Sequence, residues 1–141
     1  MKVKQMREIA EQFNVTLKFG DYPYAAWYDK VSFDNKEWEG MWFTEEPINI
    51  NLFIPKTYNM NERVFGFFHE LGHIMDHYHG VEFETTWDCE VSAWRWAWIF
   101  CRTHGYVDKL AFREDVTHCL GTYNKEQNYE LIAALEFIGL W

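Results

Sequence analysis

The sequence predicts an α+β fold in which a small antiparallel sheet comes first and helices follow. Two observations predict this class. The first half of the chain contains short segments in which apolar and polar residues alternate, the period of a strand. The second half contains longer segments with apolar residues three and four apart, the period of a helix. The chain has 141 residues, the length of one domain, so we expect a single domain spanning residues 1–141.

The first half of the chain is predicted to form one helix and several strands. Apolar residues three and four apart over residues 3–13 predict the helix, and alternation over residues 15–19 predicts a short strand. Residues 27–43 allow a hairpin around an Asp-Asn pair. Residues 48–54 alternate most clearly, so we expect a strand there with one buried face.

The apolar spacing becomes helical after Asn59. This residue can cap a helix together with Glu62, three residues later, in the reciprocal arrangement of a capping box, and Gly80 stands where such a helix would end. We therefore expect a helix over residues 60–79. A second helix, over residues 86–102, carries aromatic residues on almost every side and is expected to be central and largely enclosed.

Two further helices complete the predicted order. Asp108 is placed to cap a helix that ends near residue 119, and Asn124 is placed to cap a helix over residues 125–138. Aromatic residues make up 20% of the chain, and so much ring surface suits either a dense core or an apolar groove for a substrate segment.

The chain is acidic. Its formal net charge of −9 at pH 7 is the wrong sign for a protein that neutralises phosphates by itself, so direct binding to nucleic acid is disfavoured. The same charge is compatible with a basic protein partner, including one that binds DNA. The charge therefore indicates a protein partner rather than a nucleic acid.

The sequence predicts a cytoplasmic protein that does not enter a membrane. Residues 1–8 are charged and lead to no apolar core of a secretory signal. The longest apolar stretches, residues 93–101 and 131–141, are shorter than the roughly 18 to 20 residues that span a bilayer. The cysteines lack the close paired spacing of a zinc ribbon or redox motif and are expected to be reduced, buried structural thiols: Cys89, Cys101 and Cys119.

A His-Glu-x-x-His motif carries the strongest chemical signal. His69 and His73 are four residues apart, so on a helix both imidazoles project from one face and can share a tetrahedral zinc ion. Glu70 follows the first histidine and is placed to act as general base toward a zinc-bound water. The apolar neighbours of the motif indicate a helix that faces a core. We therefore expect zinc as the cofactor and metal-assisted hydrolysis as the chemistry.

A catalytic zinc site needs a third protein ligand and keeps one position for water. Glu90 is the best candidate, because Ala93 and Ala97 follow it on one helix face and would let this helix approach the metal helix closely. Asp88 would point about 200° away from Glu90 if both are helical. The alternatives that remain open are Asp88, Glu84, Glu82 and His77.

Hydrolysis also needs a donor that stabilises the oxyanion, and the sequence does not single one out. His77 continues the spacing of four from His73 and either borders the site or caps the helix end. His79, beside Gly80, is expected to act only at the helix end. The remaining candidate donors have no spacing signal: His104, His118, Tyr78, Tyr106 and Tyr123.

The order of these motifs resembles the ImmA/IrrE family of small zinc metallopeptidases. A strand such as residues 48–54 is followed by the motif at residues 69–73 and then by a Glu-x-x-Ala-x-x-Trp-Ala helix at residues 90–97. The first motif is shared by many zinc peptidases, whereas the combined order is more specific. The resemblance covers roughly residues 48–102.

The resemblance implies a zincin-like helical core against which the sheet packs, with His69, His73 and Glu90 as zinc ligands and Glu70 as catalytic base. Members of this family typically cleave a cognate transcriptional repressor of a phage, mobile element or stress regulon. The implied activity is a zinc endopeptidase of narrow specificity, and the implied partner is a protein substrate such as a DNA-binding repressor.

Two other functions remain open from the sequence. The first is a binding module that carries a structural zinc and controls a regulator by association alone. A purely structural site has no use for Glu70, which favours the enzyme. The second is hydrolysis of a peptidoglycan peptide, which the lack of an export signal disfavours.

Overall fold

The structure, a computed structural model of the chain, describes residues 1–28, 50–122 and 128–141. Within these ranges it has three strands and five helices, which confirms the α+β class. In chain order the elements are α1 (Val3–Gln12), β1 (Val15–Gly20), β2 (Ala26–Tyr28), β3 (Ile50–Pro55), α2 (Met60–Tyr78), α3 (Thr86–Thr103), α4 (Lys109–Gly121) and α5 (Asn128–Ile138).

The sheet formed by the described strands is mixed, and the prediction of an antiparallel sheet is wrong for one of its two pairings. Strand β3 lies between its neighbours, parallel to β1 and antiparallel to β2. Alternation of apolar and polar residues predicts a strand but not the direction of its partner. The long connection between β1 and β3 includes β2, and it lets β3 run in the same direction as β1.

The central position of β3 explains its burial. One buried face was expected for this strand, yet all six of its residues are buried, including the polar Asn51 at 4% exposure. Several expectations fall outside the described residues. These are the start of the predicted strand at residues 48 and 49, most of the proposed hairpin at residues 27–43, and the proposed cap Asn124.

Helices α2, α3 and α4 each begin with a local side-chain cap. Before α2, the backbone N–H of Glu62 donates to Asn59 Oδ1 at 2.9 Å and that of Asn59 donates to Glu62 Oε1 at 3.0 Å, which confirms the capping box. Thr85 Oγ1 accepts from the first turn of α3. Asp108 Oδ1 accepts from the first turn of α4 at 3.0 Å, as predicted. Gly80 follows α2 with φ +65°, a conformation that favours glycine at a helix end.

The chain divides into two compact units, Met1–Phe67 and Phe68–Trp141. The first contains α1, the sheet and the start of α2, with Met6 and Leu52 fully buried. The second contains the rest of α2 and the later helices, and in it α3 packs against α4 and α5. The expectations of one domain over residues 1–141 and of a sheet packed on a zincin-like core stay predictions.

Helix α3 packs against α4 and α5 and buries several of its aromatic side chains, so the expectation of a largely enclosed helix is met in part. Trp94, Trp98 and Phe100 are buried, and both Trp94 and Trp98 stack or pack edge-on against Phe112 of α4. These residues form core rather than a groove. Among the described helices, none combines the length and apolar character that crossing a lipid bilayer requires.

Candidate metal centre

Three side chains from two helices converge at one point of the second unit. Glu90 of α3 places Oε2 2.8 Å from His69 Nε2 and Oε1 3.3 Å from His73 Nε2. The two Nε2 atoms, both on α2, are 3.2 Å apart. The structure therefore brings the two motif histidines together with Glu90, the residue that alanine spacing favoured as the third ligand.

These distances are close to the edges of a zinc tetrahedron, and slightly shorter. Zinc–nitrogen and zinc–oxygen bonds of about 2.0 to 2.2 Å place adjacent tetrahedral ligand atoms about 3.3 to 3.6 Å apart. The pairs formed by His69, His73 and Glu90 lie between 2.8 and 3.3 Å. Two imidazoles and one carboxylate are also a donor set that zinc uses in hydrolytic sites. The residues present thus fit a zinc ion with three protein ligands.

The carboxylate of Glu70 also lies close to the two histidines. One of its carboxylate oxygens and ring nitrogens of His69 and His73 all lie within 4.8 Å of one another. Its distance is compatible with either a ligand or a neighbouring base. Glu90 makes the shorter, paired contacts with both imidazoles, so its position fits a third ligand better than that of Glu70 does.

A close helix contact brings Glu90 to the histidines. A Cβ atom built on Gly72 of α2 would overlap the carbonyl oxygen of Ala93 and lie 3.0 Å from both Ala93 Cα and Trp96 Cβ. Only glycine fits there without a shift of one helix. Ala93, the small residue expected on α3, therefore packs against Gly72 of α2, which lies between the two histidines in sequence.

A buried carboxylate joins the same two helices one turn further along. Asp76 of α2 is 6% exposed, and its two oxygens accept from Ser92 Oγ at 2.7 Å and from Trp96 Nε1 at 2.9 Å. Both donors are neutral and both carboxylate oxygens are used, so the group is satisfied in the interior. Asp76 was not predicted from the sequence, although its position three residues after His73 places it on the same helix face.

The second ring nitrogens of the histidines have different surroundings. His73 Nδ1 lies 3.5 Å from Cys89 Sγ, within hydrogen-bond reach, while Nε2 of the same ring is directed at Glu90. The ring of His69 stacks on Trp94 with centroids 4.0 Å apart, and its Nδ1 is buried with no hydrogen-bond partner among the described residues. These contacts fix the two ring planes.

The cysteines are free thiols, as predicted, but not all are buried. Cys101 is buried, whereas Cys89 and Cys119 are half-buried. Cys89 was expected to be only a structural thiol, but its Sγ also contacts His73. Burial raises the pKa of Cys119 to about 12, and the carboxylates of Asp115 and Glu90 act in the same direction.

Burial and nearby charges shift the pKa values of the site residues in different directions. Burial raises the pKa of Glu70 to about 8 and lowers the pKa of His69 below its usual value. Burial would also raise the pKa of Glu90, but hydrogen bonds from His69 and His73 outweigh it and hold that pKa at about 2. For His73 burial acts downward, while hydrogen bonds to Cys89 and Glu90 and the nearby carboxylates raise the pKa to about 10.

These shifts predict how pH acts on the protein after a chelator has removed metal. The pKa of His73 is about 10 in the folded protein and 6.5 in the unfolded chain, so protonation of His73 stabilises the fold. This stabilisation is complete below pH 6.5 and is lost above pH 10. Glu70, raised from 4.5 to about 8, acts in the same direction. We expect the denaturation midpoint to fall as pH rises from 6.5 to 10. The measurement is urea denaturation across this range.

The matched sample for this experiment is the same protein loaded with zinc. Zinc binding requires the neutral imidazole, so the loaded protein does not hold a proton on His73 and its midpoint should change less over the same range. Glu90 acts in the opposite direction, because its stabilisation is lost only as pH falls from 4.5 toward 2. A midpoint in chelator that stays level or rises between pH 6.5 and 10 would contradict the assignment.

The alternatives for the third ligand are all exposed, unlike Glu90. Asp88 is exposed in the first turn of α3, and its backbone N–H donates to Thr85 Oγ1 at 3.1 Å. Glu82 and Glu84 are exposed in the segment before α3. His77 is exposed in the last turn of α2, where its ring lies 6.2 Å from that of Tyr78.

The other candidate histidines and tyrosines are exposed or half-buried, or lie outside the described residues. His79 Nδ1 donates to the carbonyl of Met75 at 2.7 Å, the helix-end role expected for it. His104 is exposed and stacks on Phe68. The remaining candidates are placed as follows: His118 is exposed on α4, Tyr78 is exposed at the end of α2, Tyr106 is half-buried after α3, and Tyr123 lies outside the described residues.

Comparison of the chain with protein-family models, with curated proteins and with solved structures gives no match. The class of site therefore follows from the geometry of His69, His73, Glu70 and Glu90 within the described part of the chain. That geometry defines a candidate zinc site with an adjacent carboxylate.

Proposed function

We propose that the chain is a zinc-dependent endopeptidase of narrow specificity that cleaves a regulatory protein in the cytoplasm. The observation that carries the proposal is the convergence of His69, His73 and Glu90 at distances suited to zinc, with Glu70 next to them. The order of sequence motifs supports membership of the ImmA/IrrE family. On this proposal the substrate is a transcriptional repressor.

The residues would divide the chemistry between them. A zinc ion held by His69, His73 and Glu90 would supply a Lewis acid for the attacking water and the scissile carbonyl. Glu70 would take the proton from the water and pass it to the leaving amine. Burial raises the pKa of Glu70, which makes its carboxylate a stronger base than one in water.

The remaining contacts hold these groups in place. Cys89 orients the His73 ring through Nδ1, and Trp94 supports the His69 ring by stacking. Asp76 ties the two helices together through Ser92. The net charge of −9 favours a basic partner, which is consistent with a DNA-binding substrate.

A Glu70→Gln substitution tests the proposed chemistry. Glutamine keeps the size of the side chain but cannot take up the proton, so we expect zinc to stay bound and the cleavage rate to fall by about a hundredfold to ten-thousandfold. The measurement compares new amino termini, found by terminal labelling, in a bacterial lysate incubated with wild-type or variant protein. Serine and cysteine protease inhibitors suppress the enzymes of the lysate itself.

Two controls accompany this experiment. Glu82→Gln removes an exposed carboxyl in the segment before α3 and should leave the pattern of new termini unchanged. A sample with chelator should lose the same termini as Glu70→Gln. Equal cleavage by wild-type and Glu70→Gln protein would overturn the mechanism.

A second function is favoured by the burial of the site. The side chains of His69, His73 and Glu90 are only 11%, 11% and 14% exposed, which also suits a structural zinc. In that case the chain is a zinc-stabilised module that controls a regulator by association. This function predicts zinc in the purified protein, no new amino termini, and unchanged regulation in cells that carry Glu70→Gln.

A further inference from the structure

A second candidate site lies in the helical unit, between the start of α3 and α5. A cavity of about 700 Å³ is lined there by Phe83 and Trp87 on one side and by Ala133 and Phe137 on the other. Its volume is within the usual range of about 300 to 1,000 Å³ for binding pockets. The motif at residues 69–73 contributes no lining residue. The cavity is therefore separate from the candidate metal centre.

The geometry of α3 explains the separation. Asp88 lines the cavity, while Glu90, two residues later, contacts His69. Residues two apart on a helix point about 200° away from each other. One helix thus presents one carboxylate to the metal centre and another to the cavity.

The walls of the cavity combine aromatic rings with negative charge. Phe83, Trp87 and Phe137 supply the rings, and Phe137 is 57% exposed. The ionisable side chains that line it, Asp88 and Glu130, are both acidic. Rings with nearby carboxylates are the combination that binds a cationic side chain with an apolar neighbour.

A cation already lies on one of these rings. The guanidinium carbon of Arg95 lies 4.8 Å above the centroid of Phe137. This contact shows that one face of the Phe137 ring accepts a guanidinium, and that face is covered by Arg95. Arg95 itself is not among the cavity-lining residues, so it does not fill the space between α3 and α5.

We propose that this cavity docks a segment of a partner protein that inserts an arginine or lysine side chain flanked by apolar residues. The space is far larger than one side chain, which favours a peptide segment over a lone cation. The exposed carboxylate of Asp88 and the net charge of −9 favour a basic segment over an acidic one. The site is one of binding, so the proposal is independent of hydrolysis at the metal centre.

The test measures peptide binding to the full chain carrying Glu70→Gln, so that cleavage of the probe cannot affect the result. The probe is the blocked pentapeptide Gly-Leu-Arg-Leu-Gly, and the matched probe has glutamine in place of arginine. Binding is followed by the ¹⁵N–¹H resonance of the Trp87 indole, assigned with Trp87→Phe. We expect a saturable shift with the arginine peptide and about tenfold weaker binding of the glutamine peptide.

Two variants place the binding in the cavity. Asp88→Asn should weaken the arginine peptide by about two- to fivefold and leave the glutamine peptide unchanged. Ala133→Leu adds bulk at an exposed helical position in the wall and should abolish the shift, with a dispersed spectrum showing that the protein is folded. Glu114→Gln, on the exposed part of α4, is the matched control and should bind like the unmodified chain.

Three outcomes would overturn the proposal. Equal binding of the two peptides would show that charge is not recognised. Wild-type affinity in Asp88→Asn together with Ala133→Leu would place the binding elsewhere. A blocked single arginine that binds as tightly as the pentapeptide would show that the cavity takes a small cation and not a protein segment.

Discussion

Replacing Gly72 with alanine is expected to destabilise the protein by roughly 3 kcal/mol. The added Cβ would overlap the carbonyl oxygen of Ala93 and lie 3.0 Å from Trp96 Cβ. These atoms belong to the backbone or to the first carbon of a side chain, so they cannot move unless α2 and α3 separate. The measurement is the free energy of unfolding from urea denaturation, with chelator present so that metal does not contribute.

Gly66→Ala is a matched control on the same helix. A Cβ at Gly66 would lie 3.4 Å from Tyr58 Cε2 and 3.6 Å from Ala25 Cβ, which are ordinary van der Waals contacts. Alanine in a helix interior is about 0.5 to 1 kcal/mol more favourable than glycine. Gly66→Ala should therefore be neutral or stabilising. If the two variants unfold at the same urea concentration, the helix contact at Gly72 is not as close as the structure indicates.

The same substitution reports on the site. Separating α2 from α3 would move Glu90 away from His69 and His73, which are now within 2.8 and 3.3 Å of it. We expect Gly72→Ala to lose zinc affinity even where it remains folded, because displacement of a ligand by a fraction of an ångström is enough to weaken coordination. A folded Gly72→Ala protein with wild-type zinc content would contradict this link between helix packing and the site.

The parts of the fold that the sequence predicted depend on local physics. The helix with the motif begins where Asn59 and Glu62 exchange hydrogen bonds, and both residues lie within one turn of each other in sequence. The convergence of His69 with His73 follows from helical spacing alone. Local signals of this kind can be detected in one sequence because the interacting residues are close in the chain.

The parts that the sequence did not predict depend on pairings between distant segments. Alternation in β1 and β3 could not show that the strands are parallel, because side-chain period carries no direction. The partners of Asp76 are 16 and 20 residues away on α3. The cavity likewise forms only when α5 packs near the start of α3. These features depend on how one helix is oriented about its axis relative to its neighbour. The apolar periodicity of the sequence does not determine that orientation.

Glu90 is the intermediate case. The positions of Ala93 and Ala97 indicated which face of α3 would approach the metal helix, and that face carries Glu90 rather than Asp88. The structure places Glu90 against both imidazoles. What the spacing could not reveal is the match of Gly72 to Ala93, which determines how close the approach is.

Glu90→Ala is expected to lower zinc affinity by more than about a hundredfold, beyond the 10- to 100-fold typical of changes next to a ligand. The substitution removes the carboxylate that contacts both imidazoles and leaves an oxygen of Glu70 within 4.8 Å of their ring nitrogens. Asp88→Ala removes a carboxylate from the same helix, two residues earlier, and should keep about one zinc per chain. The measurement is metal content by elemental analysis, together with competition against a chromophoric chelator.

Thermal unfolding with added zinc gives an independent measurement of the same prediction. A ligand that binds only the folded state at 100 times its dissociation constant stabilises by about 2.7 kcal/mol, so zinc should raise the midpoint of wild-type and Asp88→Ala protein but not that of Glu90→Ala. Glu70→Gln distinguishes the role of Glu70 from that of Glu90. If Glu70→Gln loses zinc while Glu90→Ala retains it, Glu70 is the ligand and Glu90 the neighbouring base. Retention by Glu70→Gln and loss by Glu90→Ala would support the assignment made from the paired contacts of Glu90 with both imidazoles.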